Sequence, residues 1–189
     1  MDVAIDITGV IITTDRLTLR PWEETDLFDL YEYASVPGVG EMAGWICHDS
    51  YNTSMKILML FMEEKTVFAI VHKKDNKVIG SFGIHPSWAN EDNSYKGLKA
   101  KEFGYVLSKD YWGQGLMPEA VGAVADYCFS KYGLDAITCS HFKKNERSKR
   151  VIEKCGFVYV REGEFFSKQL QRTFEDYKYI LMNDKSFEK

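Results

Sequence analysis

The chain has little of what marks several common classes of protein. Only 4 of its 189 residues are proline and 4 are cysteine, and no apolar run approaches the roughly 18 residues that a membrane-spanning helix needs. The cysteines form no CxxC pair and share no metal-ligand spacing with the 4 histidines. The first stretch, MDVAIDITGVIITTDR, carries Asp before any Lys or Arg, unlike the basic start of a signal peptide. These absences predict a cytoplasmic protein with reduced, mostly buried thiols, no metal and no membrane contact.

Neither sign of charge dominates the composition. The chain has 24 basic and 28 acidic residues and a formal net charge of −4, which argues against bulk binding to nucleic acid or to an anionic membrane. Repeats, low-complexity segments and linkers rich in proline or serine are absent from the sequence. We therefore predict a single domain, residues 1–189.

Apolar periodicity predicts a chain of alternating strands and helices. In RLTLRPW, Leu17 and Leu19 fall on one face of a strand, whereas residues 85–101 are polar and are predicted as an excursion loop. This order predicts a mixed α/β sheet with helices packed on it. The expected strands are 16–22, a hairpin over 66–84 with its turn at 74–77, 102–107, 135–142, 157–162 and 174–182, and the expected helices are 23–34, 54–64, 117–131 and 145–156.

The segment DYWGQGLMPEA, residues 110–120, joins a predicted strand to the clearest predicted helix. Gly113 and Gly115 let the backbone approach a ligand without a Cβ in the way. Pro118 lies near the helix start, where the first N–H groups have no partner within the helix, so its missing N–H costs nothing. Free N–H groups and the positive end of the helix dipole together form an anion site. The segment predicts either phosphate binding or only a tight strand-to-helix turn.

Two well-known phosphate-binding loops do not fit this segment. No Gly-Lys-Ser/Thr follows the glycines, as a Walker loop requires. Pro118 occupies the third glycine position of a GxGxxG motif. Nucleoside triphosphates and dinucleotides are therefore poor candidates.

The motifs EFGYVLSKDYWGQGLMPEAV and NERS…EKCGF, at this separation, resemble the GNAT N-acetyltransferase superfamily, in particular its RimJ/RimL-like branch. The resemblance covers a core of about 14–182 and implies the GNAT fold, a mixed and mostly antiparallel sheet flanked by helices. It also implies acetyl-coenzyme A (acetyl-CoA) as cosubstrate, with its pyrophosphate at the helix N-terminus. Trp112 and Met117 depart from the superfamily's usual loop residues. The implied cofactor contacts are Val106, Leu107, Trp112, Gly113, Gln114, Gly115, Leu116, Met117, Pro118, Glu119, Asn145 and Ser148.

The resemblance further implies direct attack of an amine on the thioester within a ternary complex. Glu102, at the start of the strand before the loop, is the candidate base, and an exposed strand-end glutamate is the alternative. Main-chain N–H groups around Val106 and Leu107 would polarise the carbonyl. Ile152 stands where many superfamily members have a tyrosine that protonates the leaving thiolate. Ser148 is then the remaining local donor, and a solvated helix serine is its alternative.

Two features of the segment HFKKNERSKR, residues 141–150, have both structural and functional explanations. Asn145 is either only the N-cap of the following helix or also a contact to pantetheine. The basic run is either a solvated helix face or a contact to the cofactor's 3′-phosphate.

We therefore expect an enzyme that moves an acetyl group from acetyl-CoA to a primary amine, either a protein N-terminus or a small molecule. The alternative is a non-catalytic acyl-CoA-binding sensor or interaction module, which the missing tyrosine and Met117 favour. The expected partner is the amine-bearing acceptor, with no nucleic acid and no membrane, and a homodimer is a further hypothesis.

Overall fold

The structure is a computed structural model and describes residues 1–183. No helix in this part of the chain is long and apolar enough to cross a bilayer. The strands are β1 (Ile12–Thr13), β2 (Leu17–Arg20), β3 (Val67–His72), β4 (Lys77–Pro86), β5 (Ala100–Leu107), β6 (Ala136–Phe142), β7 (Val158–Ser167) and β8 (Arg172–Met182). The α-helices are α1 (Leu27–Ala34), α2 (Tyr51–Glu64), α3 (Leu116–Tyr132) and α4 (Glu146–Lys154).

The strands form one sheet in the order β1-β2-β3-β4-β5-β6-β8-β7. Every neighbouring pair is antiparallel except β5 and β6. This parallel pair is joined through α3, because parallel strands need a long crossover. The mixed, mostly antiparallel sheet confirms the predicted fold class.

Each face of the sheet carries its own apolar core. On one face, α3 packs the predicted stripe of small apolar residues between 120 and 128, all of them buried. On the other face, α1 and α2 contribute Leu30 and Leu58 to a second cluster. Strand alternation produces this division, because successive residues of Val67–Ile70 belong to the two clusters in turn.

The predicted excursion over residues 85–101 is wrong at both ends. β4 continues to Pro86 and β5 begins at Ala100, so His85 and Lys101 belong to the sheet. The prediction failed because these residues do not alternate between apolar and polar types, although a proline is tolerated at the end of a strand. The two-residue strand β1 was too short to be predicted.

The predicted ends of the helices agree with the structure better than the predicted ends of the 85–101 loop do. The Asn145 side chain caps α4 and accepts a hydrogen bond from the Ser148 N–H at 3.2 Å, as an N-cap does. Gly156 follows the same helix in the left-handed conformation, with φ of 81°. Pro118 is the third residue of α3 rather than its first, which is still within the turn that lacks internal N–H partners.

The centre of the sheet opens where β5 and β6 part. Their pairing covers Ala100–Phe103 and Ala136–Cys139 only. Beyond it, β5 continues to Leu107 and β6 to Phe142. The parallel strands therefore diverge and leave a cleft between their carboxyl ends.

Candidate active site

A cavity of about 1140 Å³ occupies this cleft. Its walls are the diverging ends of β5 and β6, the loop between β5 and α3, and the start of α4. Most of the predicted site residues line it, and only Gln114 and Glu119 do not. Those that do are Glu102, Val106, Leu107, Trp112, Gly113, Gly115, Leu116, Met117, Pro118, Asn145 and Ser148.

The loop at the mouth of α3 presents a row of unused hydrogen-bond donors. Within the described residues, the backbone N–H groups of 113–117 donate to no other protein group. The first N–H of the segment that bonds within the helix is that of Glu119, to Gly115 O at 3.4 Å. Gly113 and Gly115 have φ of 75° and 73°, a left-handed conformation that only glycine adopts cheaply. Such a turn at a helix N-terminus is suited to bind an anion.

Arg16, the residue immediately before β2, holds the loop in place through hydrogen bonds. Its guanidinium donates to the carbonyl oxygens of Gln114 at 2.8 Å and Gly115 at 3.3 Å, and to Glu119 Oε2 at 2.7 Å. Glu119 Oε1 accepts from the Thr14 hydroxyl at 2.6 Å. Arg16 binds the loop carbonyl oxygens, so the loop N–H groups remain available to bind a ligand. Glu119 thus stabilises the loop by binding Arg16 and does not line the cavity.

Positive charge gathers beside the loop. Arg147, Arg150 and Lys154 of α4 line the cavity, and the Arg147 guanidinium lies 3.9 Å from the centre of the Trp112 ring. The Trp112 indole N–H donates to Leu107 O at 2.8 Å. Part of the basic run therefore faces the cavity, rather than forming only a solvated surface.

Glu102 lies on the opposite side of the cavity, on the face of the sheet that α1 and α2 cover. Its Oε1 accepts a hydrogen bond from the Ser140 hydroxyl at 2.7 Å. Burial raises the pKa of Glu102 above its ordinary value, against the opposing effects of the Ser140 hydrogen bond and the positive charge of Lys178. Glu102 is thus a partly buried carboxyl inside the cavity and not the exposed strand-end glutamate of the alternative interpretation.

His85 stands directly opposite Glu102 in the β4–β5 register. Two glycines that also face each other across these strands make room for its ring. A Cβ on Gly83 would lie 2.2 Å from His85 Nε2, and one on Gly104 would lie 3.2 Å from His85 Cδ2. The surrounding protein and the charge of Lys101 lower the pKa of His85, although its side chain is open to solvent. The lowered pKa favours the neutral form of this imidazole, which lies in the cavity wall.

The C-terminal hairpin adds a second carboxylate to this side. Asp176 is almost completely buried, at 1% exposure, and its Oδ2 accepts from Lys178 Nζ at 2.7 Å. Its Oδ1 has no hydrogen-bond partner among the described residues. Both side chains line the cavity, next to Ser140 and Phe142 in the β6–β8 register.

The two remaining predicted polar contacts lie near each other on α4. The Asn145 side-chain amide donates to Met42 O at 3.3 Å while its oxygen caps the helix. The Ser148 hydroxyl oxygen lies 3.3 Å from the hydroxyl oxygen of Tyr105 on β5. Asn145 therefore has a complete structural role already, whereas Ser148 belongs to a hydroxyl pair that lines the cavity.

Sequence reasoning missed Arg16, His85, Tyr105 and Asp176. Each reaches the site through a contact between distant parts of the chain, and although Tyr105 lies within the motif EFGYVL, nothing in that motif assigned it a role. No group of three or more histidine, cysteine, aspartate or glutamate residues within 1–183 is arranged to hold a metal ion. All four cysteines are free.

Comparison with known sequences identifies the family. Residues 16–158 match the sequence profile of the acetyltransferase (GNAT) domain. The chain is 28% identical over 152 residues to YoaA of Bacillus subtilis (strain 168), described as an uncharacterized N-acetyltransferase, which covers 78% of this chain and 82% of YoaA. It is 26% identical over 174 residues to p20 of Bacillus licheniformis, with the same description, which covers 89% and 94% of the two chains. The chain belongs to the GNAT acetyltransferase family and is an acetyltransferase.

Solved structures share the fold. A GNAT-family acetyltransferase from Bacillus anthracis superposes with a TM-score of 0.74 at 23% identity, covering 92% of this chain and 98% of its own. Ribosomal-protein-S5-alanine acetyltransferase from Vibrio fischeri gives 0.70 at 21% identity, with 93% and 97% covered. The microcin C7 self immunity acetyltransferase MccE, solved with acetyl-CoA and AMP, gives 0.73 at 15% identity, with 90% and 94% covered. The predicted GNAT fold and its likeness to the ribosomal-protein acetyltransferases are confirmed.

Proposed function

We propose that this protein transfers an acetyl group from acetyl-CoA to a primary amine, by direct attack within a ternary complex. The observation that carries the proposal is the row of unpartnered backbone N–H groups at 113–117, set at the helix N-terminus beside the cavity. GNAT acetyltransferases use acetyl-CoA, and a pyrophosphate suits such a row of donors.

The rest of the cavity also fits this cosubstrate. Arg147, Arg150 and Lys154 provide positive charge near the loop for the remaining phosphate groups. The gap between β5 and β6 connects the loop to the centre of the sheet, and an extended pantetheine arm would lie there. When bound, the cosubstrate supplies the thioester, and the protein positions it.

Leu107 is the better placed of the two predicted donors to the thioester carbonyl. N–H groups along an antiparallel strand alternate between its two sides. The Ser108 N–H donates toward β4, to Ile79 O at 2.7 Å. The N–H of Leu107 is therefore directed away from β4 and into the gap that β6 leaves. There it would stabilise negative charge that develops on the carbonyl oxygen.

Glu102 would accept the proton that the attacking amine must lose. An amine with a pKa near about 10 is almost wholly protonated at neutral pH, so attack requires deprotonation. Glu102 lines the cavity in partial burial, and His85 lies opposite it across the strands in the same cavity. Glu102 and Asp176 place two acidic groups on this side of the cavity against the one positive charge of Lys178, which would favour an acceptor that arrives as a cation.

Direct transfer is supported by the state of the cysteines. Burial raises the pKa of Cys128 to about 12 and that of Cys155 to about 11, and it raises the pKa of Cys139 still further. A thiol nucleophile needs its thiolate form. None of these three side chains is therefore suited to carry the acetyl group, and the amine would attack the thioester itself.

A screen of amines for release of free CoA thiol tests the proposal. The panel contains protein N-terminal peptides, amino acids, polyamines and aminoglycosides, each with acetyl-CoA and the purified full chain. We expect at least one primary amine to raise thiol release above the rate with acetyl-CoA alone, with the acetylated amine identified by mass. Acetyl-CoA binding without turnover on any amine would instead favour a non-catalytic acyl-CoA sensor.

A further inference from the structure

The position where many superfamily members have a tyrosine to meet the leaving sulfur is an isoleucine here, Ile152, and it is buried at 1% exposure. A tyrosine hydroxyl nevertheless reaches the same region from another element. Tyr105 lies on β5, three residues after Glu102, so the two side chains emerge on opposite faces of the sheet. The hydroxyl of Tyr105 lies 3.3 Å from that of Ser148, and both residues line the cavity.

We propose that Tyr105 and Ser148 act together as the hydrogen-bond donor to the departing thiolate of CoA. One hydroxyl of the pair donates to the other, and the second keeps its proton free for the sulfur. Because hydrogen bonds in a chain polarise one another, the terminal donor is stronger than an isolated serine. This proposal rests on the proposed acetyl transfer and adds the second residue of its leaving-group site.

The arrangement separates the two proton-handling steps of the reaction onto the two faces of the sheet. On the Glu102 face, Glu102 takes the first proton of the ammonium ion and passes it to solvent. The neutral amine nitrogen then forms its bond to the carbonyl carbon and gives its second proton to Glu102. On the Tyr105 face, the carbon–sulfur bond breaks and the electron pair stays on sulfur as a thiolate, which the hydroxyl pair stabilises. The proton held by Glu102 returns to solvent, and the thiolate takes one from solvent on release.

The environment of Tyr105 favours hydrogen bonding over complete proton transfer. Burial raises the pKa of Tyr105 well above its usual value, whereas a thiol such as the cysteine side chain has a pKa near about 8.5. Transfer of the phenol proton to the thiolate is therefore unfavourable, and donation of a hydrogen bond is not. The other titratable groups near Tyr105 are the thiols of Cys139 and Cys155, which burial keeps neutral.

The pH dependence of CoA binding tests the proposal without any turnover. A donor that favours the thiolate lowers the pKa of the bound thiol, so CoA should bind more tightly as pH rises from neutral toward the pKa of the free thiol. Acetyl-CoA has no thiol to titrate and serves as the reference ligand. In the wild-type protein we expect the affinity for CoA to rise relative to acetyl-CoA, by about tenfold for each pKa unit that the thiol is lowered.

Tyr105→Phe and Ser148→Ala should both abolish this rise. Phenylalanine keeps the ring that lies 5.9 Å from Phe82, so folding should be retained. Tyr127→Phe is the matched control, because it removes a phenol from α3 outside the cavity. We expect kcat to fall about 10–100-fold in either site variant, and the double variant to lose about as much as one single variant, since the two hydroxyls act as a unit.

Three outcomes bear differently on the two proposals. A pH-dependent gain in CoA affinity that disappears in Tyr105→Phe supports the hydroxyl pair. The same gain in wild type and in folded Tyr105→Phe, or no gain in a wild-type protein that turns over, overturns the pair and leaves acetyl transfer standing. A wild-type protein that binds neither ligand overturns the proposed function itself.

Discussion

Glu102 has the properties that a base for an amine requires: it lies in the cavity, it is held by the Ser140 hydroxyl, and its pKa is raised by partial burial. The carboxylate form of such a group increases as pH rises through a value above the ordinary pKa of glutamate. The wild-type rate should therefore rise with pH, both because Glu102 ionises and because more of the amine is neutral.

Glu102→Gln should lower kcat/KM most at neutral pH, by about 10²–10⁴-fold. The deficit should shrink as pH approaches the pKa of the amine, about 10 for an alkylamine, because the base is then no longer needed. A pH–rate profile of the two proteins checks this, with Glu64→Gln, an exposed glutamate of α2, as the control. A deficit that is the same at every pH would assign Glu102 to positioning, and no deficit would remove it from the mechanism.

The same variant separates chemistry from folding. A carboxyl whose pKa is raised in the folded state contributes stability below its unfolded pKa and loses it as pH rises through the folded value. Above its folded pKa the charged Glu102 therefore costs stability, and the neutral glutamine should not. We expect the thermal midpoint of Glu102→Gln to be equal to or above that of the wild type, measured by calorimetry. A lower midpoint would mean that the charged form is stabilised by contacts other than those described.

The free cysteines provide another test at this scale. Because burial holds their thiols in the neutral form, incubation with acetyl-CoA and no amine should leave the protein without an acetyl adduct on Cys128, Cys139 or Cys155. Intact-protein and peptide mass spectrometry measure this directly. A stoichiometric adduct that is discharged when an amine is added would contradict direct transfer.

Single residues could be predicted from sequence only where a motif fixed their position. Asn145 was predicted as an N-cap because its type and its place before a helix are sufficient, and the structure confirms it. Tyr105 could not be predicted, because its partner Ser148 lies 43 residues away on another element. Only the packing of α4 against α3 and β6 brings the two hydroxyls together.

At the scale of elements, the strand–loop–helix unit of β5 and α3 depends on β2. Arg16 bonds two loop carbonyls and Glu119 at once. Burial alone would raise the pKa of Glu119, but hydrogen bonds from Thr14 and Arg16 more than offset it, so the net pKa lies below its ordinary value. The contribution of Glu119 to the free energy of unfolding is therefore present above its unfolded pKa. It is lost only as pH falls through the lowered pKa of the folded state.

Arg16→Gln should weaken acetyl-CoA binding by roughly tenfold, while kcat at saturating acetyl-CoA changes little. The loop would lose the hydrogen bonds from Arg16, but no group that contacts the reacting atoms would be removed. Titration calorimetry together with steady-state kinetics separates the two effects. Arg161→Gln, which removes an exposed cation paired with Asp92 at 3.4 Å, is the control. Unchanged affinity in folded Arg16→Gln would show that the loop holds its shape without β2.

Periodicity predicted the elements whose two faces differ in polarity, such as α3 and β2. It failed at the two ends of the predicted loop, residues 85–86 and 100–101, where polar side chains interrupt the strand pattern. His85 looks like a loop residue in sequence, yet it faces Glu102, the first residue of the predicted strand 102–107, across two central strands. The polar side chains that make this region a candidate site also disrupt the periodicity from which its strands would be predicted.

At the scale of the whole molecule, the charges that nearly cancel in the composition are sorted in space. Basic side chains of α4 lie near the glycine loop, and two acidic residues, Glu102 and Asp176, lie at the other end of the cavity with one basic residue, Lys178. The net charge of −4 could be counted from the sequence, but this arrangement could not. The single-domain organisation, the homodimer and the primary-amine acceptor stay predictions.

The central claim is that the N–H groups of residues 113–117 hold acetyl-CoA, and its most direct test is a calorimetric titration of wild type and Gly115→Val. Gly97→Val is a matched control, because Gly97 has φ of 96° and lies outside the cavity. A left-handed valine should cost each variant about 1–2 kcal/mol of stability, so loss of stability alone cannot distinguish them. We predict one acetyl-CoA per chain in wild type and in Gly97→Val, and binding at least about tenfold weaker in folded Gly115→Val. Equal affinity in all three proteins, or no binding to the folded wild type, would contradict the claim.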